Sequence, residues 1–196
     1  MLICASPQFV YLEMPKCGST AVREFILRNY RVQQRDRHGN RIPKPNQSYF
    51  TFGNCRNPYT RAVSLWWGLV GEGPPGMTNW VPKLPRRMPW QDFLAWYLGD
   101  RTYPPPHTVD QSKFLIRTTA ILRMEHLSDD FAALPFVQAP VELPPTNIHS
   151  STGRAPPPMS ELYDQDTADW VYRSLQADFE FLGYERDSWK GIHHER

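Results

Sequence analysis

The sequence predicts an α/β fold: a central parallel sheet with helices on both faces. Three observations lead there. Phe9-Val10-Tyr11-Leu12 is a short continuous apolar run, which suits a strand buried on both faces. Pro15 and Gly18 break that run, and from Ser19 a helical spacing follows, with Val22, Phe25 and Ile26 on successive turns. The same order then recurs. Tyr49-Phe50-Thr51-Phe52 reads as a strand ending at Asn54-Cys55-Arg56, and Pro58 stands at the first turn of a helix.

The first helix expects Ser19 or Thr20 as its N-cap, because a hydroxyl can accept from the unpaired amides of the first turn. The second carries Ala62, Val63, Leu65, Trp66 and Leu69 on its apolar face. Residues 31–48 are polar and read as a loop. Residues 90–98 suggest a short helix, and residues 119–124 a third strand. One amphipathic helix is expected over 160–182, with Leu162, Trp170, Val171, Leu175, Phe179 and Leu182 as its core stripe. Prolines cluster at 74–89, 104–106, 135–145 and 156–158, which reads as ordered loops around the core.

At 196 residues the chain fits one domain with a real core. Hydrophobic residues make up 40% and charged residues 21%, which excludes a disordered chain. The net charge of +2 argues against a nucleic-acid binder, so an anionic ligand has to be held by a local site. Cys4, Cys17 and Cys55 form neither a CxxC pair nor a zinc spacing. With no basic, apolar leader at the start, the expectation is a reduced, cytoplasmic protein that holds no metal. No stretch approaches the ~20 apolar residues of a membrane span.

Pro15-Lys16-Cys17-Gly18-Ser19-Thr20 lies between a buried strand and a helix. Amides at a helix start are unpaired and the dipole is positive there, so an anion is stabilised. Gly18 lets the backbone approach a ligand, Ser19 and Thr20 add hydroxyls, and Lys16 adds a full charge. The hexapeptide alone equally fits a Pro-Gly turn with a solvated lysine. An ATP-type loop needs lysine directly after its second glycine, as GxxxxGK[ST]. Here Lys16 precedes the glycine and no Gly-Lys dipeptide occurs. Gly71-Glu72-Gly73-Pro74-Pro75-Gly76 matches GxGxxG in letters only, since it follows a helix and holds two prolines.

The second strand end carries Arg56-Asn57-Pro58-Tyr59-Thr60-Arg61-Ala62-Val63-Ser64. Ligands of open α/β sheets collect at the carboxyl ends of strands. An arginine fork with a hydroxyl suits a terminal phosphate. By itself this pattern reads as a capped helix with a surface arginine.

Taken in order, PKxGST and then RNPYxRxxS resemble the sulfotransferases that use 3'-phosphoadenosine 5'-phosphosulfate (PAPS). The likeness is closer to the carbohydrate branch. It continues through Leu122-Arg123-Met124-Glu125-His126-Leu127 with Asp130, through Asn147-Ile148-His149-Ser150-Ser151, and through Asp178-Phe179 with Gly183-Tyr184. The resemblance implies a P-loop-like three-layer fold with a central parallel sheet, forming a single domain over residues 1–196. Within it, residues 66–112 are expected as an acceptor-binding insertion and 186–196 as a flexible tail. It assigns Lys16, Cys17, Gly18, Ser19 and Thr20 to the 5'-phosphosulfate, and Arg56 and Ser64 to the 3'-phosphate. Arg61 is expected as a structural ion-pair partner. Arg154 either closes over the 3'-phosphate, as a Gly-Arg loop does in some relatives, or belongs to a surface loop. Two positions depart from the pattern. Cys17 replaces a residue that is often Thr, and Ala21-Val22 lacks the aromatic that stacks on adenine in some relatives.

The implied reaction is metal-independent transfer of a sulfuryl group from PAPS to an acceptor hydroxyl, by positioning and charge stabilisation. A hydroxyl acceptor calls for a general base, and histidine is the expected type. His38 lies between the two motifs, where the carbohydrate branch often has its base. His107 is second, as a base or an acceptor contact, and His126 reads as structural. The acceptor side is expected in residues 66–112, with Trp66, Trp67, Trp80, Trp90, Trp96 and Tyr103 beside Lys83, Arg86 and Arg87. Aromatic faces suit a sugar or phenol, so a small molecule or glycan is the expected partner. The competing readings are a non-catalytic nucleotide- or glycan-binding domain and a nucleotide kinase.

Overall fold

The computed structural model describes residues 1–70, 87–99, 108–138, 141–144 and 155–191. The chain divides into two compact units. One holds Met1–Arg56 and Gln111–Thr146, the other Asn57–Asp110 and Asn147–Arg196.

The first unit is a five-stranded sheet in the order β3-β1-β2-β4-β5. The strands are β1 (Leu2–Ala5), β2 (Gln8–Leu12), β3 (Val32–Gln34), β4 (Phe50–Cys55) and β5 (Ala120–Arg123). The β2–β4 and β4–β5 pairs are parallel, as expected of strands joined by helical crossovers. The sheet is mixed, because β1 pairs antiparallel with both β2 and β3. Residues 31–48 are therefore not all loop. β3 is an edge strand with an exposed side, so only Val32 is apolar and the segment lacks a strand signature.

Phe9, Tyr11, Phe52 and Leu122 on one face of the sheet pack with Val22 and Ile26 of α1 (Ser19–Asn29). In the same cluster lie Leu127 and Phe131 of α5 (Leu127–Ala132). The short α4 (Gln111–Leu115) covers the opposite face at β4. The unit is thus an α/β three-layer structure with a parallel heart. β4 ends at Cys55, within the strand end expected at Asn54-Cys55-Arg56. Gly53 suits its place in this strand, since a Cβ there would stand 2.6 Å from Leu115 and 3.0 Å from the Leu12 carbonyl.

The second unit packs α2 (Pro58–Leu69) against α3 (Trp90–Gly99) and α7 (Gln165–Ser174). Pro58 occupies the first turn of α2, and the Asn57 side chain accepts from the Tyr59 amide as its cap. The single helix expected over 160–182 is three pieces: α6 (Met159–Leu162), α7, and α8 (Gln176–Leu182). Asp164 caps α7 by accepting from Thr167, which ends one piece and starts the next. The core stripe survives the breaks, with Leu162, Val171, Leu175 and Phe179 buried in one cluster. Trp66, Trp90 and Trp96 also pack into this cluster, so these three serve the core. Gly183, at φ 67, closes α8. Among the described residues, no helix is long and apolar enough to cross a membrane.

Candidate functional site

The strand-turn-helix at β2 and α1 forms as its residues dictate. β2 ends at Leu12, and the chain turns through residues 13–18 into α1. Lys16 and Gly18 both take left-handed backbone, at φ 65 and φ 75. For Gly18 this conformation carries no steric penalty; for Lys16 it is a strained state of the kind found at ligand clamps. The expectation of a Ser19 or Thr20 cap is corrected. Gly18 is the N-cap, with no side-chain capping bond, because the left-handed turn carries the chain directly into the helix. Ser19 and Thr20 are the first two helical residues, so neither hydroxyl is engaged in capping.

A buried polar layer lies beneath the turn. The Tyr11 hydroxyl is within reach of the Ser19 carbonyl at 3.3 Å and of Asn54 Oδ1 on the neighbouring strand. The other end of that amide, Asn54 Nδ2, is buried and finds no partner among the described residues. Cys17 is fully buried, and its thiol faces Gln111 Oε1 at 3.3 Å and the Pro15 carbonyl at 3.4 Å. With the thiol turned inward, Cys17 can offer an anion only its main chain.

Arg56 follows β4 directly and brings its charge to the same turn. Its Nη1 donates to the Lys16 carbonyl at 3.5 Å. Its own peptide is held by Gln111, whose Oε1 accepts from the Arg56 amide and whose Nε2 donates to the Arg56 carbonyl, both at 2.9 Å. Burial first, and the Arg56 guanidinium second, lower the Lys16 ammonium to about 8. Two cations that converge this way favour an anion between them.

Glu13 is fully buried, and Arg23 clasps its carboxylate with bonds of 2.8 and 2.9 Å. Arg37 stands 3.8 Å from the same carboxylate, and its guanidinium reaches the Thr20 hydroxyl at 3.5 Å. The adjoining His38 is half-buried, and its Nδ1 donates to the Glu13 carbonyl at 2.9 Å. A carbonyl can only accept, so the neutral ring carries its lone pair on Nε2. Burial holds His38 below its ordinary pKa, against the raising effect of the Glu13 bond. The ring is therefore neutral at pH 7, as a base requires.

An open cleft of about 330 Å³ lies beside the turn, lined by Ala21, Met124, Glu125, His126, Leu127 and Pro144, among others. The small Ala21 side chain at the helix start contributes to this space. Asp130 supports the strand end that forms its wall by accepting from the Arg123 amide at 2.7 Å.

The family model described as the sulfotransferase family matches residues 1–185. The chain belongs to the sulfotransferase family. No curated protein and no solved structure matches it significantly. Membership makes sulfuryl transfer the general activity. Read residue by residue, the first unit brings together Lys16, Cys17, Gly18, Ser19, Thr20 and Arg56 of the expected sulfotransferase site. Ser64 belongs to the second unit, where it is buried two turns into α2. Arg61, also buried in that unit, donates to the Tyr97 hydroxyl at 3.2 Å and the Val109 carbonyl at 3.1 Å. His107, Arg154, Trp80, Lys83, Arg86, Tyr103, the GxGxxG look-alike and the 147–151 segment lie outside the described residues. Sequence reasoning missed Gln111, Glu13 and Asn54. A lone glutamine or a strand-end glutamate carries no periodic or motif signal, and each matters only through partners distant in the chain.

Proposed function

We propose that this sulfotransferase takes its sulfuryl group from PAPS and passes it to a hydroxyl of a carbohydrate acceptor, releasing 3'-phosphoadenosine 5'-phosphate. The observation that carries this reading is the meeting of Lys16 and Arg56, with an Arg56 Nη1 to Lys16 carbonyl distance of 3.5 Å. PAPS bears anionic groups at both its 5' and 3' positions, and two cation-bearing strand ends side by side suit such a donor. The order Lys-x-Gly disfavours ATP chemistry.

In this reading Lys16, the amides of the turn and the Ser19 and Thr20 hydroxyls hold the 5'-phosphosulfate. Arg56 holds the 3'-phosphate, and the family resemblance adds Ser64 and Arg154 to it. The cleft beside Ala21 takes the adenine, since it adjoins the turn and the small Ala21 side chain leaves it open. His38, through Nε2, removes the acceptor proton as the acceptor oxygen attacks sulfur. The bond from sulfur to the bridging oxygen breaks, and that oxygen leaves with its electron pair on the nucleotide phosphate. Lys16 stabilises the charge that builds there. His107 is a second candidate for the base or an acceptor contact. The carbohydrate acceptor rests on the resemblance alone.

Calorimetry with 3'-phosphoadenosine 5'-phosphate tests the donor assignment. Wild type is expected to bind, and Arg56→Ala to bind about tenfold to a hundredfold more weakly, as befits a lost charge-assisted pair. Absence of binding by wild type removes PAPS as the donor. Lys16→Ala is expected to slow transfer more than it weakens nucleotide binding, and equal effects would reduce Lys16 to a binding group.

A further inference from the structure

Gln111 has no part in the reading above, yet its contacts close a ring. Its side chain is completely buried at the start of α4. Oε1 accepts from the Arg56 amide at 2.9 Å, and Nε2 donates to the Arg56 carbonyl at 2.9 Å. The same Oε1 faces the Cys17 thiol at 3.3 Å. From Arg56 the ring continues through Nη1 to the Lys16 carbonyl at 3.5 Å, and Lys16 is the chain neighbour of Cys17. One amide thus touches both anion-binding segments of the first unit, and it holds the Arg56 backbone on both sides of its Cα. A residue gripped at its own N–H and its own C=O cannot rotate about φ or ψ without breaking a buried hydrogen bond. The origin of the Arg56 side chain is therefore set relative to the Lys16 turn.

We propose that Gln111 is the positioning residue that sets the spacing between the two phosphate-binding segments, so that Arg56 meets the 3'-phosphate while the Lys16 turn holds the 5' end. This rests on the donor reading above. Gln111 acts through Arg56 and does not touch the nucleotide. Its loss therefore damages recognition of the 3'-phosphate more than recognition of the rest of the ligand. A glutamine that only stabilised the unit would weaken all nucleotides alike.

The test compares 3'-phosphoadenosine 5'-phosphate with adenosine 5'-phosphate, which lacks only the 3'-phosphate, by calorimetry on the full chain. Wild type is expected to prefer the first by about tenfold to a hundredfold, the value of one charge-assisted contact. In Gln111→Met, close in volume but without the amide, the preference falls to within about threefold, while affinity for adenosine 5'-phosphate changes little. Arg56→Ala gives the same collapse, and the double variant adds nothing further, because both act through one contact. Should Gln111→Met not fold, Gln111→Glu carries the comparison. It keeps the acceptor towards the Arg56 amide, loses the donor to the Arg56 carbonyl, and is expected to lose part of the preference. If wild type shows no preference, the donor reading fails. If wild type shows it and the Gln111 variants keep it in full, or lose both ligands equally, the positioning role is overturned.

Discussion

Binding of the product nucleotide should take up protons, and Lys16 is the group that accepts them. Burial and the nearby Arg56 hold the free ammonium at about 8 instead of 10.5. At that value roughly a tenth of the molecules carry neutral Lys16 at pH 7, about half at pH 8 and about nine-tenths at pH 9. A phosphate bound in the turn favours the cation and moves the pKa back upwards. Binding is then expected to absorb about 0.1 proton per site at pH 7, about 0.5 at pH 8 and about 0.9 at pH 9. Above pH 8 the Kd should weaken, approaching about tenfold per pH unit. Calorimetry in two buffers of different ionisation heat counts the protons directly. The nucleotide's own phosphates titrate near pH ~6, below this window. Lys16→Arg is the control. A guanidinium stays charged throughout, so binding should persist while the uptake at pH 8 disappears. An uptake near zero in wild type at pH 8, or one unchanged by Lys16→Arg, would refute the argument. The same linkage acts on folding. The folded pKa lies below the unfolded one, so the unfolded chain binds more protons between about pH 8 and 10.5, and this group's contribution to stability rises with pH across that window.

Two further outcomes follow from other parts of the site. As the proposed base, His38 is expected to set an acid limb in kcat/KM, with an apparent pKa below 6.5 because burial lowers it. His38→Gln is expected to remove the limb and reduce kcat by about a hundredfold or more, and a limb that persists in the variant would move the base elsewhere. Gly53→Ala would push a methyl to 2.6 Å from Leu115 and 3.0 Å from the Leu12 carbonyl. Urea unfolding should register a loss of about 1–3 kcal/mol, and an unchanged midpoint would contradict the packing of α4 on β4.

Much of this was legible in the residues. Phe9–Leu12 announces its strand because both faces are buried, and an unbroken apolar run has few other uses. Pro58 and Asn57 mark the start of α2 by chemistry local to one turn. The two anion motifs are legible for the same reason, since a helix start needs only its own amides and a lysine or arginine close in sequence. Elsewhere the signal is not local. β3 has one apolar residue and exists because β1 offers it hydrogen bonds. Gly53, a weak strand former near the end of β4, is held extended by parallel partners on both sides, and Asn54 and Cys55 by pairing with β5. The helix expected over 160–182 keeps its apolar spacing through breaks that Asp164 and Leu175 introduce.

By itself, then, the sequence determined the α/β class, the two strand-turn-helix junctions and the residues that can face an anion there, because each depends on groups within a few positions of one another. The tertiary structure alone decided that Arg56 reaches the Lys16 turn, that Gln111 grips both segments, that His38 presents Nε2, and that Lys16 titrates near 8. Those properties arise from buried partners tens of residues apart, whose distances and desolvation exist only once the chain has folded.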